Sequence, residues 1–379
     1  MKESAKAQHE VDKANWDAAK AESKAQWEEA KAIGDPNRRK AVFQAERDAQ
    51  IAEANERKAA AEARIDAVEY LHQCYKGEQS MNAIEIRNLS KSFRGMYAVE
   101  HLNMTVPVGS IYGFIGENGS GKSTTMKLLC GHLVADEGKI KLFDREHIDP
   151  GVRLRVGALI ENAGCFPGSS VYQNLKMQCI NLGIENAEEE IHRVLEIVRM
   201  EDNANLKFKS CSLGMKQRIG IAMALLGEPA LLILDEPING LDTDGMRIMR
   251  EILVDITKTY GCTVLISSHI LGELEKIATH YGIIRQGKMI MELSAEEMDA
   301  RAQVFVSLKT KDMQGAVAIL KKLYTDVREE EGYIRVYDVQ DTASIVDYLM
   351  KNGHTPYELK KNKIGLEEYY IELMSKEDK

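Results

Sequence analysis

The sequence predicts an α/β protein whose main domain has a mostly parallel sheet, with a helical extension before it and a small α+β domain after it. The first observation is a set of short apolar runs, IYGFI (111–115), ALLILD (230–235) and TVLISS (263–268), which are typical of buried parallel strands. The second is that segments with helical periodicity separate these runs. The third is a change of composition near residue 81 and another near residue 303, which mark the limits of the main domain.

The first 80 residues are predicted to be a helical extension, because they are rich in Ala, Glu, Lys, Arg and Gln and nearly free of β-branched residues. Gly34 and Pro36 interrupt the stretch, so we expect two helices at roughly 3–32 and 36–74. No heptad repeat is sustained, which argues against a long coiled coil. We expect a solvated extension without chemistry; a partner-binding segment is the alternative.

A main domain is predicted over residues 81–300 and a small α+β domain over 301–379. KGEQS (76–80) is typical of a linker, and β-branched alternation begins at NAIEIRNLSKSF directly after it. From about residue 303, the order is VFVSLKT, a helical stretch around MQGAVAILKKLY, YIRVYDV, another helix and a tail. This alternation of strand-like and helical segments is the basis for the second domain.

Composition and charge exclude several classes of protein. The chain has 379 residues, 44% of them hydrophobic, and a formal net charge of −9, which argues against nucleic acid as a partner. Six scattered cysteines form no C-x-x-C pair, so we expect reduced thiols rather than a zinc site or a disulfide framework. No apolar run approaches the roughly 20 residues that a bilayer span needs. The start MKESAKAQHE is too polar for a signal peptide, so we expect a cytoplasmic protein that meets a membrane only through a partner.

GENGSGKST, residues 116–124, joins a predicted strand to a predicted helix and fits the phosphate-loop pattern G-x-x-x-x-G-K-[ST]. Glycines let successive N–H groups turn toward phosphate oxygens, and the start of the helix adds a positive end. Lys122 is expected to reach the β- and γ-phosphates, and the Ser123 hydroxyl to ligate Mg²⁺. The predicted nucleotide contacts in this loop are Gly116, Asn118, Gly119, Ser120, Gly121, Lys122, Ser123 and Thr124.

Two acidic residues stand at the C-terminal end of the apolar strand ALLILD, at the edge of an α/β sheet where ligands bind. Asp235 is predicted to hold Mg²⁺, directly or through water. Glu236, next in the chain, is predicted to polarise a water molecule for attack on the γ-phosphate. Lys122 and Glu236 are thus two of the predicted catalytic residues.

The phosphate loop and the acidic pair together resemble those of the ATP-binding cassette (ABC) ATPases. SLGMKQR (212–218) stands where the family has its L-S-G-G-Q signature before K-Q-R, with Ser212 and Gly214 retained and Leu213 and Met215 as departures. The resemblance implies that Ser212 and Gly214 contact the γ-phosphate bound to another subunit. It also implies the ABC ATPase fold, which has a phosphate-loop core with a mainly parallel sheet, an antiparallel β subdomain and a helical subdomain.

Three further positions match family motifs. NGLD (239–242) resembles the loop that crosses the dimer interface, which implies a nucleotide-site role for Asp242. Ser268-His269 resembles the switch histidine, so His269 is the third predicted catalytic residue. Phe93 stands where the family has the aromatic ring that stacks on adenine; an ordinary strand aromatic is the alternative.

Glu161, in ALIENAG, departs from the glutamine that the family usually has at a loop touching Mg²⁺ and facing the membrane subunit. Glutamate can also ligate Mg²⁺, so the predicted metal ligands are Ser123, Glu161 and Asp235. Together with SLGMKQR and the ending IGLEEYYIEL, this residue resembles the bacitracin-resistance and lantibiotic-immunity branch. The likeness covers roughly residues 83–300 and implies export of a peptide antibiotic or another hydrophobic compound.

The resemblance implies an ATP-hydrolysing transporter subunit at the inner face of the cell membrane. One phosphate loop and one signature require a homodimer or a similar ATPase partner, and integral membrane permease subunits must supply the membrane spans. A chromosome-maintenance ATPase is excluded because the segment between Ser123 and Asp235 is too short for its long coiled coil. A ribosome-acting relative usually carries two cassettes. A non-transport protein that uses ATP only as a dimer clamp stays as the alternative.

Overall fold

The computed structural model describes residues 82–302, 304–330, 332–337, 339 and 341–377. The two helices predicted at 3–32 and 36–74 lie outside this range. The chain divides into two compact units. Among the described residues, one unit holds 82–270 together with Ile277–Glu292, and the other holds Leu271–Lys276 together with those from Leu293 onward. The domain limits at 80/81 and 300/301 stay predictions.

Among its described residues the first unit contains six α-helices and ten strands, the last of which ends two residues past Glu292. The strands are β1 (Asn82–Phe93), β2 (Met96–Pro107), β3 (Ile111–Ile115), β4 (Glu137–Leu142), β5 (Arg145–Glu146), β6 (Val156–Leu159), β7 (Leu231–Asp235), β8 (Thr263–Ser268), β9 (His280–Arg285) and β10 (Lys288–Ser294). The helices are α1 (Lys122–Leu129), α2 (Pro150–Arg153), α3 (Val171–Asn181), α4 (Ala187–Ile197), α5 (Leu213–Leu225) and α6 (Thr243–Tyr260).

A six-stranded sheet in the order β10-β9-β3-β8-β7-β6 forms the centre of this unit. Strand β3 pairs in parallel with β8 and β9, and β7 pairs in parallel with β6 and β8. All residues of β3 and β8 are buried, as their apolar runs predict. Because β3, β7 and β8 run the same way, Gly116, Glu236 and His269 follow them at one edge of the sheet. The predicted α/β class with a mainly parallel sheet is confirmed.

A separate four-stranded sheet has the order β2-β1-β4-β5, and its strands pair antiparallel. The turn from β1 to β2 consists of Arg94 and Gly95, with φ of 52° and 83°. Two positive φ angles suit the right-handed twist of a tight hairpin. This turn brings Phe93 opposite Met96.

Helices α3, α4 and α5 pack on one another within the stretch where the sequence predicts mostly helix. A capping box begins α3, because Ser170 accepts from the Gln173 N–H and the Gln173 side chain accepts from the Ser170 N–H. A Cβ at Gly157 would collide with the Ala224 carbonyl oxygen, so this glycine lets α5 lie close to β6. No helix in the described part of the chain has both the length and the apolar composition of a bilayer span.

The second unit is built around a four-stranded antiparallel sheet. Its strands are β11 (Val304–Thr310), β12 (Val327–Glu330), β13 (Tyr333–Tyr337) and β14 (Pro356–Lys363), and its helices are α7 (Leu271–Leu274), α8 (Ala295–Arg301), α9 (Met313–Leu320), α10 (Thr342–Lys351) and α11 (Leu366–Glu377). The sheet order β12-β13-β11-β14, with α9 and α10 as connections, is the split β-α-β arrangement. Val306, Leu308, Ile334 and Val336 pack on the helices to form the core.

Two strands of this unit are absent from the sequence prediction. Strand β12 reads VREE, and β14 reads PYELKKNK, so neither shows apolar alternation. Both lie at the edges of the sheet. Edge strands often contain charged residues and proline, which prevent pairing with other chains. These residues also interrupt the apolar alternation by which a strand is predicted from sequence.

Candidate active site

Glycines shape the loop between β3 and α1 into a cradle. Gly119 and Gly121 have φ of 81° and 110°, a region that side chains rarely adopt. A Cβ at Gly121 would collide with the Ala98 carbonyl oxygen, and one at Gly116 with that of Ile284. The loop therefore fits its surroundings only with glycine at these positions.

Lys122 begins α1 and turns back across the loop. Its buried Nζ donates to the carbonyl oxygens of Gly116 at 2.6 Å and Glu117 at 3.0 Å. Burial lowers the pKa of Lys122, and the nearby Glu236 and Asp235 carboxylates oppose that shift. The lysine can exchange its hydrogen bonds to these neutral carbonyls for bonds to phosphate oxygens, which are stronger acceptors.

Ser120 supplies a direct sign that an anion fits this cradle. Its Oγ is buried and, among the described residues, has no hydrogen-bond partner. A buried hydroxyl without a partner is unfavourable, and a phosphate oxygen would satisfy it. Ser123 and Thr124 are half-buried in the first turn of α1, whereas Asn118 is exposed.

The acidic pair lies beside this lysine. The Oε1 atom of Glu236 is 3.8 Å from Lys122 Nζ, and its Oε2 atom is 2.9 Å from His269 Nδ1. Asp235 Oδ1 accepts a hydrogen bond of 2.6 Å from Ser267 Oγ. The structure thus brings the predicted catalytic residues Lys122, Glu236 and His269 into one cluster.

Ser267 is part of this cluster and is absent from the sequence prediction. Its hydroxyl donates to Asp235 and accepts from the Glu236 N–H at 2.9 Å. The signal that could reveal it is the parallel register, which sets Ser267 opposite Asp235. That register comes from strand pairing and cannot be found from one strand alone.

Glu161 lies on the loop between β6 and α3, with φ of 65°. Its side chain is 63% exposed, and Oε1 is 2.6 Å from Lys127 Nζ on α1. The structure therefore pairs this predicted metal ligand with Lys127 and not with Asp235. Among the described residues, no group of three His, Cys, Asp or Glu is arranged to hold a metal ion.

Ser212 and Asp242 form a second, separate group. Ser212 caps α5 by accepting from the Met215 N–H at 3.2 Å, and Asp242 caps α6 by accepting from the Gly245 N–H at 3.0 Å. The two loops touch, since a Cβ at Gly240 would lie 3.0 Å from Leu213 Cδ2. Ser212 and Asp242 are exposed, and Gly214 is half-buried. No hydrogen bond or ion pair of the described residues links this group to the phosphate loop.

Phe93 lies at the end of β1, beside the hairpin turn. Its ring is 45% exposed, and Lys91 Nζ is 5.6 Å from the ring centroid. Ala98, on the returning strand, lies against Gly121 of the phosphate loop. The exposed ring therefore belongs to the hairpin that borders the cradle.

The parallel sheet, the glycine cradle and the Lys122–Glu236–His269 cluster define a phosphate-loop nucleotide-binding protein. A family model described as ABC transporter matches residues 99–239. The bacitracin transport ATP-binding protein BcrA of Bacillus licheniformis is 34% identical over 298 residues, covering 77% of this chain and 97% of that protein. This chain belongs to the ABC transporter family. It is an ATP-binding, ATP-hydrolysing subunit of an ABC transporter.

Two other comparisons agree. The lantibiotic transport ATP-binding protein SrtF of Streptococcus pyogenes is 39% identical over 222 residues, or 59% of this chain and 95% of that protein. The solved structure of CbiO1 from Clostridium perfringens, part of the ABC transporter complex CbiONQ, has a TM-score of 0.54 and 25% identity. It covers 58% of this chain and 92% of that chain. The predicted ABC ATPase fold is confirmed.

Proposed function

We propose that this ATPase closes ATP between two copies of the chain, or between one copy and a similar subunit, and drives a separate membrane permease. The observation that carries the proposal is the division of the site residues into two groups. Lys122, Glu236 and His269 form one group, and the exposed caps Ser212 and Asp242 form the other. ABC ATPases form dimers and work with membrane subunits, so a second molecule is the natural source of the missing half.

The residues of the cradle have distinct proposed tasks. Lys122 and the loop N–H groups bind the phosphates, and the Ser120 hydroxyl gains its partner there. Glu236, when ionised, accepts a proton from the attacking water. Because an ionised carboxylate only accepts, the hydrogen bond to Glu236 requires the proton of His269 to lie on Nδ1. His269 thereby fixes the direction of the carboxylate.

Mg²⁺ fits the oxygen donors at this edge of the sheet. Ser123 offers a hydroxyl and Asp235 a carboxylate, and Mg²⁺ in such sites takes one or two carboxylates plus substrate phosphates. When bound, the ion neutralises charge on the phosphates. Glu161 becomes a ligand of the ion only after its ion pair with Lys127 breaks. That pair is exposed, and an exposed ion pair contributes about 0–1 kcal/mol, so breaking it costs little.

Phe93 is proposed to stack on the adenine ring. We expect Phe93→Ala to lower ATP affinity by about 5-fold or more, since stacking of a base on an aromatic ring contributes roughly 1–3 kcal/mol. Phe93→Tyr keeps the ring and should bind ATP like the unmodified chain. Fluorescence titration with an ATP analogue gives both affinities. Equal affinities for Phe93→Ala and Phe93→Tyr would show that the ring serves only the hairpin.

An apolar surface on the helical region is proposed to dock the permease. Met177 and Ile180 lie one turn apart on α3, and the Phe166 N–H donates to the Asn174 amide oxygen, which holds Phe166 beside that helix. All three apolar side chains are exposed, Ile180 at 69%. The loop that carries Glu161 leads into this surface. When nucleotide binding moves Glu161, the loop carries that movement to the surface that docks the permease.

Ile180→Glu tests this surface, with Ile148→Glu as the matched control. Both isoleucines are similarly exposed, at 69% and 61%, but Ile148 lies between β5 and α2. We expect Ile180→Glu to reduce copurification with coexpressed permease subunits of the transporter by about 10-fold, because a charge must then be buried in the contact. ATPase activity of the isolated chain should not change. Equal binding by both variants would remove this surface from the proposal.

The transported compound is proposed from the relatives. Proteins named for bacitracin and lantibiotic transport are 34% and 39% identical to this chain, which favours a peptide antibiotic or a similar hydrophobic compound as the exported substrate. Cells expressing the chain with its permease should tolerate more bacitracin or lantibiotic than cells expressing a Lys122→Ala chain. Equal tolerance to every such compound would count against this substrate class.

A further inference from the structure

We propose that Ser267 is a positioning residue for ATP hydrolysis, which sets the direction of both Asp235 and Glu236. The inference rests on the proposed role of Glu236 as the residue that activates water. The side-chain hydrogen bonds of Ser267 reach neither the phosphate loop nor His269; this residue acts through the acidic pair.

The hydroxyl of Ser267 is fully buried and uses both of its hydrogen-bonding functions. It donates to Asp235 Oδ1 at 2.6 Å and accepts from the Glu236 N–H at 2.9 Å. One oxygen atom therefore connects the side chain of the first acidic residue with the backbone of the second. The bond uses Oδ1 of Asp235, so Oδ2 is the oxygen that is left for other ligands.

The backbone of Glu236 explains why this bond matters. Strand β7 ends at Asp235, and Glu236 has φ of 51°, a left-handed conformation that is unfavourable for a residue with a Cβ. The bond from its N–H to Ser267 holds the peptide in that conformation. The turn places the Glu236 carboxylate near both Lys122 and His269. Loss of the bond would allow the carboxylate to move, and a displacement of about 1 Å can cost about 10²-fold in rate.

The neighbouring serine has a different task. Ser268 Oγ accepts from the Ile270 N–H at 2.9 Å and so shapes the turn that carries His269. Consecutive serines at the end of β8 thus support the two sides of the cluster. Of these two serines, only Ser267 makes a hydrogen bond to the acidic pair.

Ser267→Ala tests the proposal, with Thr263→Val as the matched control. Thr263 is a fully buried hydroxyl at the other end of β8, where it accepts from the Gly109 N–H at 2.9 Å. We expect Ser267→Ala to lower kcat by about 10-fold or more, the loss typical of groups that orient reactive residues. The dissociation constant for a fluorescent ATP analogue should change by less than about 2-fold. Thr263→Val should keep kcat, with a similar loss of thermal stability.

Further variants exclude a merely structural effect. Ser267→Thr keeps the hydroxyl and should restore most of kcat; Ser267→Cys, with a weak donor, serves if the alanine variant is unstable. In a Glu236→Gln chain, Ser267→Ala should cause little additional loss, because residues that act as a unit are not additive. An unchanged kcat in a folded Ser267→Ala chain would overturn the proposal. Ser267→Ala would also overturn it by lowering kcat by the same factor in the unmodified chain and in the Glu236→Gln chain. If Glu236→Gln itself keeps full turnover, the proposed role of Glu236 fails, whatever Ser267 does.

Discussion

Replacing Glu236 with glutamine is expected to lower kcat for ATP hydrolysis by about 10²-fold or more, while ATP affinity stays within about 3-fold. Glutamine keeps the size of the side chain but cannot accept the proton of the attacking water. The proposed phosphate contacts come from Lys122 and the loop, which this change does not remove. Steady-state ATPase assays and nucleotide titration measure the two quantities.

Glu228→Gln is the matched control for this variant. Glu228 also has a positive φ, of 55°, but it lies after α5 and is 3.8 Å from Arg193. Its replacement should leave kcat unchanged. A Glu236→Gln chain that hydrolyses ATP at the normal rate would show that another group activates the water.

Replacing Lys122 with alanine is expected to lower ATP affinity by about 30-fold or more. The change removes a buried cation that is proposed to pair with the phosphates. Loss of one partner of a buried charge pair costs about 2 kcal/mol or more of binding free energy, and each step of about 1.4 kcal/mol is tenfold in affinity. It also leaves the carbonyl oxygens of Gly116 and Glu117 without this donor. Titration with Mg–ATP measures the loss.

Lys139→Ala supplies the control, because Lys139 is an exposed lysine on β4 of the antiparallel sheet. Its affinity for ATP should equal that of the unmodified chain. Similar affinities for the two alanine variants would mean that the cradle does not hold the phosphates through Lys122.

The part of the site that depends on local sequence could be predicted. The glycine loop, the acidic pair and the wholly apolar strands each have a pattern that spans a few residues, and the structure contains all of them. Lys122 and Glu236 meet because their strands are parallel and end at one edge of the sheet, which the apolar runs already indicate.

The contacts that depend on register or on side-chain choice could not be predicted. Ser267 stands opposite Asp235 only because β7 and β8 pair in one particular register. Glu161 pairs with Lys127 because a loop residue turns toward α1, and no sequence periodicity records that contact. Strands β12 and β14 carry charges suited to a sheet edge, so their sequence resembles loops.

Sedimentation of the Glu236→Gln chain with saturating Mg–ATP tests most directly whether a second copy completes the site. This chain should bind ATP without turning it over, so the bound nucleotide should hold two copies together. We predict a monomer without nucleotide and a dimer with Mg–ATP. Adding Ser212→Ala should weaken that dimer, because the exposed cap of α5 is the proposed contact in the second copy. A Glu236→Gln chain that stays monomeric at saturating Mg–ATP would contradict the account.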